Sequence, residues 1–179
     1  MKKYLLLIFC TLLFSVSLSA QKDTQHVKLL GIPLNGSITN FQNKLIAKGF
    51  KYDSEGSKAL DTPTRIYNGL FAGESAQLFV YYNRDQKFVY RTKAIIIRDT
   101  KNQIINIMKF FKSQLEEKYS TTATSSNSDD GDGYYITIPN GRIDLYYRQS
   151  PYSIGYSLHI DYWDSANTKK NDKSNMNDL

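Results

Sequence analysis

Two stretches of the chain carry apolar residues at helical spacing, and each is followed by short runs in which apolar and polar positions alternate. In "ITNFQNKLIAKGF", Ile38, Phe41, Leu45 and Ala47 fall on one stripe of a helix. Ser37 stands where a hydroxyl can accept from the free amides of the first turn. Gly49 stands where a left-handed residue ends a helix, and Phe50 where an apolar side chain folds back onto it. The second stretch, "TKNQIINIMKFFKSQLEEKYS", is longer, with Ile104, Ile107, Met108, Phe111, Leu115 and Tyr119 on one face. Thr100 and Gln103 have the spacing of a capping box.

Three strand-like runs follow each helix: "TRIYNGLFAG", "SAQLFVYYN" and "KFVYRTKAIIIRD" after the first, "GYYITIPNG", "RIDLYYRQ" and "YSIGYSLHIDYWD" after the second. The middle runs align as Leu78-Phe79-Val80-Tyr81-Tyr82 against Ile143-Asp144-Leu145-Tyr146-Tyr147. Asn140-Gly141 gives a two-residue hairpin signal through two residues that tolerate positive φ, and Ala72-Gly73-Glu74-Ser75 turns at the matching place. Asn83-Arg84-Asp85-Gln86 likewise stands opposite Gln149-Ser150-Pro151-Tyr152. The chain therefore reads as an internal repeat, with units at about 31–99 and 100–164. The expected fold is α+β: tandem helix-plus-three-strand units forming one antiparallel sheet, with the two helices packed on one face. A short extra strand is expected through Phe50 to Asp53, and "TTATSSNSDDGDG" reads as a mobile polar loop.

Strand alternation sorts the side chains into two faces. Ile154, Tyr156, Leu158, Ile160 and Tyr162 fall on the core side of the last strand, leaving Gly155, Ser157, His159, Asp161 and Trp163 on the other. With Leu78, Val80 and Tyr82 inward, Phe79 and Tyr81 point outward. With Ile143, Leu145 and Tyr147 inward, Asp144, Tyr146 and Arg148 do so. Arg91 and Lys93 join them, so the candidate binding residues are Phe79, Tyr81, Arg91, Lys93, Tyr146, Arg148, His159 and Trp163. Tyr, Trp and Arg anchor protein interfaces because they bury much area while losing few rotamers. Tyrosine is also simply a good strand residue, and a register slip of one position would exchange the two faces.

The ends of the chain read differently. Lys2 and Lys3, the apolar run Leu5–Leu13 and "SLSA" before Gln21 have the form of an export signal, expected to be removed after Ala20. The apolar run is too short for a membrane span, so no transmembrane anchor is expected after cleavage. Cys10, the only cysteine, would leave with the signal, and Phe9 before it argues against lipidation. Removal lowers the formal charge from +6 to about +4, a mild excess that suits an acidic envelope or an acidic partner better than nucleic acid. One domain is expected over 21–164, and the polar "SANTKKNDKSNMNDL", residues 165–179, reads as a disordered tail.

Motifs for chemistry are sparse. His26, at the ragged end of the mature chain, and His159 are too isolated to pair on a metal or in a dyad, and no serine sits on a recognisable nucleophile elbow. Ser128-x-Asp130-x-Asp132-Gly133 has the odd-position spacing of a calcium loop, but Pro139 stands where the closing glutamate belongs. No catalytic residues, metal ligands or cofactor are assigned from the sequence, and a non-enzymatic role is expected.

The order of helix and strands resembles the β-lactamase inhibitor proteins, whose tandem helix-plus-strand units build one curved sheet. Similar units occur in outer-membrane assembly lipoproteins of the small-protein-A type and in PepSY-like exported proteins. The stretch "LGIPLNGSITNFQNKLIAKGF" also resembles the start of small exported proteins of unknown function from Gram-negative bacteria. The resemblance implies a periplasmic or extracellular binding module whose partner is another envelope or extracellular protein. The rival expectation is a small-ligand or glycan binder, with Tyr81, Tyr146 and Trp163 as stacking platforms and Asp144, Asp161 and Arg148 aimed at hydroxyls. Either expectation fails if the outward set is buried under a helix or loop.

Overall fold

The computed structural model describes residues 26–128, 131–149 and 155–176; residues 1–20, expected to be an export signal and including Cys10, lie outside them, as does Ile154. The fold is α+β, with a large antiparallel sheet and helices packed on it. A two-stranded ribbon, β1 (Lys28–Leu29) and β2 (Ile32–Pro33), precedes helix α1 (Ile38–Ala47). Then come β3 (Lys51–Asp53), the short helix α2 (Ser54–Lys58), β4 (Thr64–Phe71), β5 (Glu74–Tyr82) and β6 (Val89–Arg98). Helix α3 (Lys101–Tyr119) opens the second half, followed by β7 (Thr124–Ser128), β8 (Gly131–Ile138), β9 (Gly141–Gln149), β10 (Tyr156–Asp164) and helix α4 (Ser165–Met176). The eight-stranded sheet runs β3-β4-β5-β6-β10-β9-β8-β7. Each half thus supplies a helix and four consecutive strands, and the halves join through their last strands, β6 and β10.

Helix ends form where the capping chemistry places them. The Ser37 hydroxyl accepts from the Asn40 amide at 3.3 Å, and Thr100 with Gln103 forms the reciprocal capping box. Gly49, at φ +89°, closes α1 in a Schellman arrangement: its amide reaches Ile46 O, and the Phe50 amide reaches Leu45 O. Phe50 then lies over Gly69 of β4, where a Cβ would stand 2.6 Å from the ring. Ile38, Phe41 and Leu45 of α1 and Ile104, Met108, Phe111 and Leu115 of α3 are buried in one core with Tyr67, Leu78, Ala94, Leu145, Leu158 and Ile160. Ala47 is exposed, while Ile107 and Tyr119 pack only partly against that core.

Three expectations need correction. "TTATSSNSDDGDG" is not simply a loop: Thr124–Ser128 is β7, paired antiparallel with β8 from Gly131 onward. The calcium-like spacing therefore straddles a hairpin, and Gly133 lies inside β8, where a Cβ would meet Leu145 O at 2.3 Å. The loop of the next hairpin is Pro139-Asn140, and Gly141 is the first residue of β9. Gly141 is needed for close approach instead, because a Cβ there would stand 1.9 Å from Trp163 O and 2.6 Å from Val27 Cγ2.

The largest correction concerns residues 165–176, expected to be disordered and found as helix α4. Asp164 is fully buried and caps it, its Oδ1 accepting from the Asn167 amide at 2.9 Å. Its Oδ2 accepts from the Val27 amide at 3.0 Å and lies 3.0 Å from His26 Nδ1, so His26 is tied down and not ragged. Asn167 Nδ2 donates to Leu34 O and Val89 O, and Asn83 Nδ2 donates to the buried Asn171 Oδ1 at 3.1 Å. Lys170 lies over the Phe88 ring at 4.3 Å. Amides dock this helix where an apolar stripe would ordinarily do so, which is why hydropathy gave no sign of it.

Candidate functional site

The face of the sheet opposite α1 and α3 can be read off as three rows crossing the strands and a broken fourth. The first row runs Thr64, Tyr81, Arg91, Trp163, Arg142, Thr137. The second runs Ile66, Phe79, Lys93, Asp161, Asp144, Tyr135. The third runs Asn68, Gln77, Ile95, His159, Tyr146, Gly133; beyond it Leu70 pairs with Ser75 on one side, and Ile97, Ser157 and Arg148 pair in turn on the other. All eight residues singled out in the sequence, Phe79, Tyr81, Arg91, Lys93, Tyr146, Arg148, His159 and Trp163, stand on this one face. Seven of them keep some accessible surface; His159, on the central strand β10, is only 2 % exposed. Tyr146 and Arg148 of β9 lie against it, and Arg91 and Lys93 of β6 lie against Asp161, also 2 % exposed.

Asp161 organises the centre. Arg91 donates to it twice, Nε to Oδ1 at 2.7 Å and Nη2 to Oδ2 at 2.6 Å, in the fork that suits a planar guanidinium. Lys93 Nζ reaches the same Oδ2 at 3.1 Å and also the Tyr146 hydroxyl at 3.1 Å. Burial pulls both cations toward neutrality, but the hydrogen bond and charge of Asp161 outweigh it for Arg91, and the charge of Asp161 with the Tyr146 hydrogen bond does so for Lys93. Both pKa values end above their ordinary ones, so both side chains stay charged. The Arg91 guanidinium lies between two rings, 3.7 Å from the Trp163 centroid and 4.8 Å from that of Tyr81. Burial raises the Tyr81 hydroxyl above its ordinary pKa despite Lys93 and Arg91 nearby, so it remains a neutral phenol.

The other half of the face is built around an imidazole. Tyr146 and His159 stack with centroids 4.8 Å apart and planes within 5°. His159 Nε2 lies 3.1 Å from Arg148 Nε and 2.9 Å from Ser157 Oγ. Because the guanidinium can only donate, Nε2 is the acceptor and the imidazole proton sits on Nδ1. Burial, and then the charges of Arg148 and Lys93, bring the His159 pKa down to about 3. The Ser157–His159 contact has the heavy-atom spacing of a nucleophile and its base. Yet the imidazole is a weak base here, its Nε2 is shared with Arg148, and both residues are buried.

Two hollows flank Arg91. One, of about 290 Å³, is lined by Arg91, Arg142, Asp144, Tyr146, Asp161 and Trp163. The other, of about 540 Å³, lies against Tyr81, Tyr90, Arg84, Asp85 and Asn171. Tyr90 enters through a β-bulge: Tyr81 faces Arg91 but Tyr82 faces Val89, leaving Tyr90 as the extra residue. Strict alternation could not have placed it. Arg142 was also missed, although it stands two residues before Asp144, to which its Nε donates at 2.5 Å, and its guanidinium lies 4.4 Å from the Tyr135 ring. The parity that selected Asp144 and Tyr146 would have selected it too.

Among the described residues no group of three or more His, Cys, Asp or Glu side chains is placed to hold a metal ion. No helix among them is long and apolar enough to cross a membrane. Comparisons with protein-family models, curated proteins and solved structures find no match to this chain.

Proposed function

We propose that this chain is an exported, non-enzymatic binding module that receives another envelope or extracellular protein on the face of its sheet opposite α1 and α3. The observation that carries the reading is the row Tyr81–Arg91–Trp163–Arg142, in which aromatic and guanidinium groups alternate across four neighbouring strands. Its geometry is held in advance: Arg91 is fixed by a buried carboxylate and two rings, so little side-chain entropy is lost on docking. Six long strands about 4.8 Å apart, crossed by four rows about 6.8 Å apart, offer roughly 700 Å². A standard interface takes about 800 Å² from each partner, so the face has the right size. Its far end exposes two large apolar side chains, Leu70 at 67 % and Ile97 at 53 %, which suits a protein surface better than a polar ligand. Export rests on the sequence pattern of residues 1–20.

A second reading, a glycan or small-ligand site, is favoured by one feature. The hollow beside Trp163 combines an indole, a tyrosine and the Asp144–Arg142 pair, which can stack on a sugar ring and bond its hydroxyls. At about 290 Å³ it lies just under the usual range of about 300–1,000 Å³ for small-ligand sites.

The purified chain, immobilised and exposed to envelope extract, tests both readings beside a Tyr81→Ala/Tyr146→Ala/Trp163→Ala variant of unchanged melting temperature. A protein retained by the parent and lost by the variant is the expected result. Equal retention by both would remove the face from the binding surface. Retention of glycans alone would favour the second reading.

A further inference from the structure

The central strand β10 runs between two strands that carry cations on the face opposite α1 and α3: Arg91 and Lys93 on β6, Arg142 and Arg148 on β9. Among the described residues of β6, β10 and β9, two carboxylates face these four. Asp161 is shared by Arg91 and Lys93, and Asp144 is held by Arg142. Arg148 is exposed and directs its Nε to a neutral imidazole. The cluster therefore keeps two positive charges in excess, and the imidazole at its middle adds none. Half-buried cations that share one carboxylate retain unfilled donors, and the chemistry that fills them is another anion.

The spacing narrows the choice of anion. Arg91 and Lys93 are two residues apart on one strand, so their Cα atoms repeat at about 6.8 Å, the repeat at which an extended peptide presents side chains to one side. We infer that the partner contacts this face with an extended acidic segment, carboxylates at alternate positions, laid along β10 between the two cationic strands. This rests on the binding-face reading above and adds the chemistry of the partner. Arg142, exposed at the rim of the hollow whose wall holds Trp163, Asp144 and Asp161, meets one of the carboxylates, and Lys93 and Arg148 meet the others. Asp161 remains the internal counter-ion that holds the cations in place.

Trp163 is the chain's only tryptophan and stands in the wall of that hollow, so its fluorescence reports on the site directly. The full chain is titrated with an alternating Ser–Glu heptapeptide, its Ser–Lys counterpart and an oligogalacturonate. The Ser–Glu peptide should perturb the emission, with an affinity that falls as salt rises through the range where the screening length drops below about 10 Å. The Ser–Lys peptide should be silent. Arg142→Gln and Arg148→Gln, both at exposed positions and checked by melting temperature, should each weaken the Ser–Glu peptide by about tenfold, the value of a modest interfacial charge pair. A response to the oligogalacturonate without one to the peptide overturns the inference in favour of an acidic glycan, and silence toward both overturns it outright. Capture of an envelope protein that is lost in the aromatic triple variant, yet unaffected by Arg142→Gln/Arg148→Gln, would keep the face as a binding surface and remove the acidic segment. Equal capture by parent and aromatic variant would remove the face itself.

Discussion

The two halves of the chain place the same kind of pair at corresponding points and then use it differently. In the first half Tyr81 stands across from Arg91; in the second Tyr146 stands across from His159. Both pairs join a tyrosine of the third strand to a nitrogen-bearing side chain of the last strand. Around Arg91 a buried carboxylate reaches over from the other half and keeps the side chain charged. Around His159 no acid approaches; burial and the cations Arg148 and Lys93 keep the ring neutral. One framework, repeated, thus yields a fixed cation at one end of the face and a neutral stacking surface at the other. The difference lies in what sits opposite: Asp161 serves the first pair from the strand on which His159 serves the second.

The largest break in this comparison comes from removing the shared acid. Asp161→Ala leaves Arg91 and Lys93 half-buried without their partner, and should cost about 3–5 kcal/mol in urea unfolding. Replacing all three with Leu or Met of similar volume should recover most of that loss, since a buried ion pair is worth little against good packing. Recovery of stability together with loss of binding would separate the two tasks of the cluster.

The imidazole end gives a pH signature. His159 binds its proton near pH 3 in the folded chain and near 6.5 when unfolded, so between those values the unfolded state holds more protons. The stability that neutral His159 supplies is therefore fully present above pH 6.5 and is lost as pH falls toward 3. The slope approaches about 1.4 kcal/mol per pH unit near pH 5. The groups facing it are Arg148, Lys93, Tyr146 and Ser157, none of them an acid that would reverse the sign. His159→Gln should flatten the urea midpoint between pH 6 and pH 4.5, and an unchanged slope would assign the acid sensitivity to other groups.

A smaller loss is expected at the docked end of the chain. Asn167→Ala removes the hydrogen bonds to the carbonyls of Leu34 and Val89, costing about 1–2 kcal/mol and loosening α4. Faster amide exchange confined to residues after Asp164 is the expected readout.

How much of this was legible follows from the kind of interaction involved. The two long helices, the repeat and the placement of all eight face residues came from periodicity, because Leu158, Ile160 and Tyr162 of β10 alternate without interruption with His159, Asp161 and Trp163. The burial of His159 and Asp161 was not legible, since alternation gives a side chain's face but not the reach of neighbours from strands far away in sequence. Tyr90 was hidden by a bulge, β7 by a composition of small polar residues, and α4 by its reliance on amides in place of apolar contacts. For α4 the deciding partners are also tens of residues away: Asn171 answers Asn83, and Asp164 answers Val27.

The finest test of the comparison lies at Arg148. Arg148→Ala removes one donor from the buried His159 Nε2, which Ser157 Oγ at 2.9 Å can still serve, so the loss of stability should be no more than about 1 kcal/mol. It should nevertheless raise the His159 pKa, since it removes both a like charge and the N–H that occupies Nε2. Burial, the larger cause, is kept in part by the stacked Tyr146 ring, so the value should stay below 6.5. Histidine carbon chemical shifts followed from pH 7 toward acid would show an upward displacement of the midpoint. If the midpoint does not move, burial alone holds the ring neutral and the cation on β9 is screened from it. The two halves would then differ only in what is buried beside each tyrosine, not in how charge is arranged around it.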